Sequence, residues 1–331
     1  MGKRCFHIRK ETDKMYLGID VGSVSTDLVL TDGEGAITEA LYLKTGGDPA
    51  RAVSEGLAEL GLRHADGEIL GLGVTGSGRA LAGALAGADV VKNEITAHAV
   101  AAAALDPEIR TVLEIGGQDS KIILLRDGLV FDFAMNTVCA AGTGSFLDRQ
   151  AQRLGLSPEE LGELALRSRS PAPISGRCAV FAESDLIHKQ QAGSPTEDLV
   201  AGMCRALVRN YLSNVAKGKR LLPKVCFQGG VAANAGIRRA FEEELGCRVL
   251  VPEHHKVMGA LGAALLAKEK APEKTLFRGF GDKDRSVRLD SFRCRDCENH
   301  CQVSRVWYDG RPRGFFADRC GKYSSRTGPP S

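Results

Sequence analysis

The stretch YLGIDVGSVSTDLVLTDGEG, residues 16–35, has the pattern of a short apolar strand, a Gly/Ser-rich turn, a second apolar strand and an Asp-Gly hairpin turn. The stretch TVLEIGGQDSKIILLRDGLV, residues 111–130, has the same order of elements. When the two stretches are aligned, Asp20 falls at the position of Glu114, Gly22 at that of Gly116, and Ser25 at that of Asp119. The chain therefore contains an internal duplication, which predicts two α/β halves facing one another across a cleft.

Each duplicated turn has the chemistry of a phosphate-binding loop. Glycine lets the backbone approach phosphate oxygens, and successive N–H groups together with the hydroxyls of Ser25 and Thr26 form a concavity for an anion. An acid at the strand end, such as Asp20, can hold Mg²⁺ through water. One such hairpin is usually no more than a turn, but two related copies favour phosphate binding.

Composition narrows the class of protein. The 331 residues are 43% hydrophobic and 26% charged, which is typical of a soluble globular chain. A net charge of +3, with one Trp and no aromatic residues interleaved with a basic stripe, argues against nucleic-acid binding. Neither an apolar leader nor a run long enough to cross a membrane is evident, so we expect a cytoplasmic protein with no membrane contact. Its ten cysteines then indicate metal or redox ligands rather than disulfides.

Two cysteines lie in similar settings, in NTVCAAGTGSFLDRQ (136–150) and SGRCAVFAESDLIHKQ (175–190). In both, small residues and one Cys precede an amphipathic run, so Cys139 and Cys178 are expected near helix N-termini, where a thiolate is stabilised. A [4Fe–4S] cluster takes four thiolates, so two per chain suggest a site shared across a two-fold axis. The alternative is that both are small buried hydrophobes. In the second run, Val180, Phe181, Leu186 and Ile187 are expected to share a helix face.

Other segments carry weaker signals. Residues 51–62 and 95–105 have helical periodicity, and Glu94 and His98 stand at i and i+4, a spacing that suits a metal but more often a surface ion pair. A Gly-Gly turn at 229–230 follows a strand, where nucleotides sit in α/β folds. We interpret three further cysteines as structural: Cys204, Cys226 and Cys247.

The C-terminal part has a different composition. Residues 271–288 are charged and without periodicity, as in a linker. The sequence then has a C-x₂-C-x₃-C pattern with a fourth cysteine further on: Cys294, Cys297, Cys301 and Cys320. This spacing is typical of metal ligands, and it leaves zinc and a second iron–sulfur cluster both open. Because the segment is poor in apolar residues, we expect metal binding to supply most of its folding free energy.

Six segments together, LGIDVGSVST, IGGQDSK, CAAGTGSFLD, CAVFAESD, GGVAANAG and GALGAAL, resemble the activator ATPases of 2-hydroxyacyl-CoA dehydratases, relatives of the ATPase subunits of benzoyl-CoA reductases. The resemblance covers residues 16–267. It implies a duplicated actin-like ATPase fold of the ribonuclease H-like, sugar kinase and Hsp70 type, with a Cys-rich extension. The chain would divide into an N-terminal tail (1–15), two halves (16–110 and 111–270), a linker (271–290), a Cys-rich module (291–323) and a disordered tail (324–331).

The resemblance also implies ligands and residue roles. The family forms homodimers with one [4Fe–4S] cluster, which makes Cys139 and Cys178 its ligands here. The catalytic residues would be Asp20, Glu114, Gln118 and Asp119. ATP or ADP, with Mg²⁺, would be bound by residues of the phosphate loops, of the turn after Cys139 and of the adenosine region: Gly22, Ser23, Val24, Ser25, Thr26, Gly116, Gly117, Gly142, Gly229, Gly230, Asn234, Gly259 and Ala260.

As a member of this family, the chain would drive a low-potential electron into an iron–sulfur dehydratase or reductase, with a ferredoxin or flavodoxin as donor. ATP would close the two halves and move the helices that follow the two cysteines. A benzoyl-CoA-type reductase and a double-cubane cluster protein stay open as acceptors. Other classes to weigh are a small-molecule kinase, which needs an aspartate base, and a regulatory iron–sulfur or zinc protein. Glu114 and Met258 depart from the family pattern, which has Asp and a polar residue there.

Overall fold

The first sheet is built from the first copy of the duplicated stretch and two later strands. A computed structural model describes residues 14–136, 139–281 and 287–324, so the expected tails fall almost wholly outside it. The strands are β1 (Met15–Val21), β2 (Ser25–Thr31), β3 (Ile37–Lys44), β4 (Ile69–Thr75) and β5 (Val90–Val91). Their order is β3-β2-β1-β4-β5, with β1 to β3 antiparallel and β4 and β5 parallel to β1.

The second sheet repeats this arrangement. Its strands are β6 (Thr111–Ile115), β7 (Ser120–Arg126), β8 (Leu129–Asn136), β9 (Val225–Gln228) and β10 (Val249–Leu250). Read from β8, the order is β8-β7-β6-β9-β10, again with three antiparallel strands followed by two strands parallel to the first of them.

The two copies also agree in register. Asp20 pairs with Asp27 across the first hairpin, and Glu114 pairs with Lys121 at the equivalent place in the second. The turns close with equivalent backbone hydrogen bonds, from Gly22 N to Ser25 O at 2.8 Å and from Gly116 N to Asp119 O at 3.0 Å. The predicted duplication is confirmed, and two such sheets form the actin-like ATPase fold.

Nine helices are seen in the described residues: α1 (Pro49–Gly61), α2 (Arg79–Ala86), α3 (Glu94–Leu105), α4 (Gly144–Leu154), α5 (Pro158–Leu166), α6 (Ala179–Gln191), α7 (Thr196–Val215), α8 (Ala235–Leu245) and α9 (Met258–Lys270). Local sequence explains several of their starts. Asp48 caps α1 by accepting from Arg51 N, with Pro49 in the first turn, and Ser157 and Glu160 form a capping box at α5. Within the same residues, no helix has both the length and the apolar character to cross a bilayer.

The chain divides into two compact units that differ from the halves expected at 16–110 and 111–270. One unit contains the residues up to Ala97 and those from Gly259 onward; the other runs from His98 to Met258. Helix α9 belongs with the first sheet because glycines let it pack on the strand backbones. A Cβ added at Gly18 or Gly73 would lie 1.9 Å from a helix carbonyl oxygen.

The C-terminal extension forms a third sheet within the first unit. Strands β11 (Val287–Arg293), β12 (Gln302–Tyr308) and β13 (Arg311–Phe316) are antiparallel. Val306 is fully buried in the core of this unit, and Gly314 lies so close to α2 that an added Cβ would be 2.7 Å from the Ala84 carbonyl oxygen. The extension is therefore part of the first unit rather than a separate module.

The described part of the expected linker is also packed. Phe280 is 4% exposed, and the Asp89 carboxylate accepts hydrogen bonds from Leu276 N and Thr275 Oγ1, both at 2.7 Å. Residues 271–281 are therefore packed against the first unit, which the lack of periodicity did not reveal, because an irregular segment can be held by a buried carboxylate. Residues 282–286 lie outside the described part of the chain.

Candidate functional site

The first phosphate loop joins β1 to β2. Ser23 and Val24 are exposed at its tip, whereas Thr26 is fully buried. The Thr26 hydroxyl lies 2.9 Å from that of Thr45, which donates to the Gly22 carbonyl at 2.9 Å. Thr26 therefore stabilises the loop from beneath, instead of presenting its hydroxyl at the surface with Ser23.

Asp20 lies at the end of β1 beside a glycine turn. It pairs with Thr75 of β4, and Gly76 follows with φ of +87°. A Cβ at Gly76 would lie 2.3 Å from Asp20 Oδ1, so only glycine leaves room for the carboxylate. Asp27, the register partner of Asp20, has its side chain on the same face of the sheet.

The second phosphate loop contains an ion-pair network that we did not predict. Lys121 Nζ lies 2.9 Å from Glu114 Oε2 and 2.9 Å from Asp119 Oδ1, with the Lys121 and Glu114 side chains each 6% exposed. Gln118 is exposed at the loop tip. Lys121 aligns with Asp27 in the duplication. The change from an acid to a base at this position is the sequence feature that could have indicated the ion-pair network.

The Gly229–Gly230 turn packs against this second loop. Gly229 has φ of +89°, and a Cβ there would lie 2.4 Å from Ile115 O and 2.7 Å from Glu114 Oε1. His255, a residue that sequence reasoning missed, holds the turn: its Nδ1 lies 2.9 Å from Gly229 O, and its carbonyl accepts from Gly229 N at 2.9 Å. Burial lowers the pKa of His255, although the bond to Gly229 opposes this.

Among the residues expected around adenosine, Asn234 has a structural role. Asn234 is 2% exposed and caps α8: its Oδ1 accepts from Ile237 N at 3.0 Å and its Nδ2 donates to Pro158 O at 2.9 Å. Gly230 is exposed, whereas Gly259 and Ala260 are buried at the start of α9. Their contacts with a nucleotide stay predictions.

Cys139 is half-buried in a loop braced by one asparagine. Its N–H donates to Asn136 Oδ1 and its carbonyl accepts from Asn136 Nδ2, both at 2.9 Å. Cys139 caps a short 3₁₀ turn, and α4 begins five residues later, at Gly144. Gly142, expected to contact nucleotide, is buried, and a Cβ there would lie 2.9 Å from Asn210 Oδ1.

Cys178 is the N-cap residue of α6, as predicted. The expectation of one shared apolar face on that helix is wrong. Ala182 and Leu186, one turn apart, are buried, whereas Val180 and Phe181 are 67% and 63% exposed. An exposed apolar surface therefore begins directly after Cys178.

The second phosphate loop is hydrogen bonded to the helix that follows Cys139. Gly144 N donates to Gly116 O at 2.9 Å and Ser145 N donates to Gly117 O at 2.8 Å. A Cβ at Gly144 would lie 3.0 Å from Gly116 O, so the approach is close. The second phosphate loop and the first turn of α4 are therefore joined by direct backbone contacts.

Two of the cysteines expected to be structural, Cys204 and Cys226, are buried, and so is His98. Burial raises the pKa of the Cys204 thiol to about 12 and that of Cys226 to about 11, which agrees with the structural role predicted for both. His98 is 6% exposed, with Nδ1 2.8 Å from Gln228 Oε1. The expectation that His98 lies at the surface is wrong, whereas its pairing with Glu94 stays a prediction.

The four C-terminal cysteines lie at one end of the third sheet. Cys294 is buried and its N–H donates to Cys301 O at 2.8 Å, whereas Cys297 and Cys320 are exposed. Asp296 joins their two loops by accepting from Lys322 Nζ at 2.7 Å and from Tyr323 OH at 3.1 Å. In the described part of the chain, no three His, Cys, Asp or Glu side chains are grouped as ligands of one metal ion.

Comparison with known proteins identifies the family. The model of the BadF/BadG/BcrA/BcrD ATPase family matches residues 17–267. The chain belongs to this ATPase family. Met258, Glu114 and the phosphate loops lie within the match, whereas the third sheet lies beyond it.

Relatives with activator names are similar over nearly their whole length. The (R)-2-hydroxyglutaryl-CoA dehydratase activating ATPase of Acidaminococcus fermentans is 38% identical over 259 residues, 77% of this chain and 97% of the relative. The activator of lactoyl-CoA dehydratase of Anaerotignum propionicum is 38% identical over 265 residues, 78% of this chain and all of the relative. The solved structure of the activator of the 2-hydroxyisocaproyl-CoA dehydratase from Clostridium difficile with bound ADPNP has a TM-score of 0.70 and 35% identity, covering 78% of this chain and 95% of that one.

Proposed function

We propose that this chain is an ATP-dependent electron-transfer activator of a 2-hydroxyacyl-CoA dehydratase-like partner. Two copies would share one [4Fe–4S] cluster through Cys139 and Cys178 of each. Similarity to dehydratase activators over nearly their whole length supports the choice of partner. The membership in an ATPase family supports ATP as the energy source.

The observation that carries the proposal is the direct bond between the second phosphate loop and α4. Gly116 and Gly117 offer carbonyls to Gly144 N and Ser145 N, and Cys139 lies five residues before Gly144. A loop that follows the γ-phosphate of ATP would pull on this turn through two hydrogen bonds. Nucleotide state and the position of a cysteine ligand are thereby coupled within one unit.

The residues at the first loop fit a nucleotide phosphate with Mg²⁺. Asp20 and Asp27 place two carboxylates on one face at a strand end, where hard cations find oxygen ligands. Ser23 is exposed at the loop tip, where successive N–H groups can meet an anion. In the second loop Lys121 pairs with both Glu114 and Asp119, whereas the first loop has the acid Asp27 at the position of Lys121, so the two loops differ in charge.

The two cysteines fit half of a cluster site. Both are half-buried thiols at the starts of helical turns. A bound [4Fe–4S] cluster would supply one-electron transfer at low potential. A second copy would complete the ligand set, and a ferredoxin or flavodoxin is the class of donor that transfers single electrons.

Exposed apolar residues beside the cysteines support this dimer. Phe131 and Phe133 of β8 are 46% and 51% exposed, and the strand ends at Asn136, three residues before Cys139. Val180 and Phe181 are exposed directly after Cys178. If a two-fold axis passes near both cysteines, the second copy would cover these side chains.

Anaerobic assays of Asp20→Asn test the proposal. We expect ATP turnover to fall by at least about a hundredfold, because the metal–phosphate contact is weakened, while the four-iron absorbance is retained. Asp32→Asn is the matched control, since Asp32 is also an acid of the β1–β2 region but only caps a surface turn through three backbone N–H groups. Unchanged turnover in Asp20→Asn would remove Asp20 from this role.

The electron-transfer step is tested with a 2-hydroxyacyl-CoA dehydratase as acceptor. We expect the reduced wild-type protein to reduce the dehydratase only when ATP is present, and the Asp20→Asn variant to fail. Reduction at the same rate without ATP would contradict the proposal. So would transfer of the γ-phosphate to a small molecule, which is the outcome for a kinase.

A further inference from the structure

Asn210, in the C-terminal half of α7, touches both cysteine loops. Its side chain is 2% exposed. Its Nδ2 lies 2.6 Å from Gly176 O, two residues before Cys178, and 3.8 Å from Cys139 Sγ. Its Oδ1 accepts from Asn214 Nδ2 at 3.0 Å. One amide therefore spans two loops whose cysteines are 39 residues apart in sequence.

The orientation of this amide follows from its partners. The Gly176 carbonyl can only accept, so the atom that faces it must be the amide nitrogen. One N–H is used there, and the second N–H is available to Cys139 Sγ. A protonated thiol can also donate to Asn210 Oδ1, at 3.9 Å. A metal-bound sulfur has no proton, so in that state the Asn210 N–H becomes the donor.

Helix α7 is a common platform for the two loops. A Cβ at Gly176 would lie 2.8 Å from Ala206 O, and a Cβ at Gly142 would lie 2.9 Å from Asn210 Oδ1. Both loops thus approach the helix too closely for a larger residue. The next residue along α7, Tyr211, donates from its hydroxyl to Lys121 O at 2.5 Å, in the strand after the second phosphate loop.

We propose that Asn210 is a positioning residue for the electron-transfer site. Its amide sets the spacing of the Cys139 and Cys178 loops and donates an N–H to the Cys139 sulfur, which raises the reduction potential of the bound cluster. Hydrogen bonds to ligand sulfurs raise cluster potentials because they stabilise the added negative charge. The part concerning potential rests on the proposed function; the bridging of the loops does not.

The potential is tested in the full-length holoprotein with Asn210→Ala and the near-isosteric Asn210→Asp, neither of which has the N–H donor. We expect the midpoint reduction potential of the cluster to be more negative in both variants. The expected shift is about 59 mV, which is a tenfold change in the one-electron equilibrium constant. Arg205→Lys is the control, because this residue of the same helix keeps its charge and pairs with Glu243 at the surface, and it should keep the wild-type midpoint potential. A wild-type midpoint potential in both Asn210 variants, or an equal shift in Arg205→Lys, would overturn the proposed hydrogen bond.

The bridging is tested without any cluster. Hydrogen–deuterium exchange of the cluster-free protein with ADP should become faster in Asn210→Ala at residues 139–144 and 174–178 together, and not in Arg205→Lys. Exchange unchanged at either segment would overturn the bridging role. If the wild type binds no iron, the proposed function fails, whereas this exchange result still decides the role of Asn210.

Discussion

Lys121 shows how the two duplicated copies diverged at one residue. The first copy has Asp27 at this register position and the second has Lys121, which pairs with the buried Glu114. A buried carboxylate is tolerated when an ammonium group lies 2.9 Å away, and removing one partner leaves an uncompensated charge. Glu114 therefore has a structural role, as the partner of Lys121, in addition to its predicted catalytic role.

Lys121→Met should lower the free energy of unfolding by about 3–5 kcal/mol, because Glu114 is left buried without its counter-charge. Adding Glu114→Gln should restore much of that loss. Urea unfolding measures both effects, and Lys224→Met is the control, since Lys224 forms an exposed ion pair with Asp106 that contributes far less. Equal losses in the two lysine variants would contradict a buried ion pair at Lys121.

His255 should make stability depend on pH. Burial lowers its pKa below the ordinary 6.5, so the unfolded chain binds the proton more readily than the folded one. The contribution is fully present above pH 6.5 and is lost as the pH falls towards the folded pKa. Between about pH 7.5 and pH 5.5 the melting temperature of the wild type should fall more than that of His255→Asn. Parallel curves would show that His255 does not contribute to this pH dependence.

At the scale of elements, the third sheet is stabilised by more apolar packing than its sequence indicates. Cys294, Val303 and Phe315 form a small core, and Phe292 and Tyr323 pack on it with ring centroids 5.3 Å apart. Gly314 packs on α2. We therefore expect metal binding to stabilise the end of the sheet that carries the cysteines, rather than to supply most of the folding free energy of the whole segment.

Metal analysis of the full-length protein tests this end of the sheet. We expect zinc or iron bound there to be lost when the four cysteines are changed to serine: Cys294, Cys297, Cys301 and Cys320. Strands β12 and β13 should stay protease-resistant in that variant, because Val306 lies in the core of the first unit. If the wild-type segment holds neither metal, the cysteines are spectators; if the variant strands are digested, metal is needed for the whole sheet.

At the scale of the whole molecule, the proposal that two copies share one cluster predicts a stoichiometry. In the tail variant without its four cysteines, about four irons should be bound per two chains, and Cys139→Ala or Cys178→Ala should each remove them all. Iron analysis of the anaerobically purified protein measures this, with Cys204→Ala as the control because that thiol is buried and its pKa is raised to about 12. Four irons per single chain would contradict a site that two copies share.

Local patterns were enough to reveal the duplication, its two glycine-containing turns and the helix start at Cys178. Strand alternation, turn glycines and capping positions depend on neighbours within a few residues, so they can be read in order along the chain. The match of register between Asp20–Asp27 and Glu114–Lys121 confirms that the aligned sequences encode the same hairpin twice.

Contacts between distant residues were decided only by the fold. The ion pair of Lys121, the burial of His98, the packing of residues 271–281 and the two contacts of Asn210 all depend on which surfaces meet in three dimensions. The two compact units differ from the halves expected from the sequence for the same reason. Helix α9 joins the first sheet because Gly18 and Gly73 leave no side chain between strand and helix, and close packing of this kind is a property of the assembled unit rather than of any single stretch.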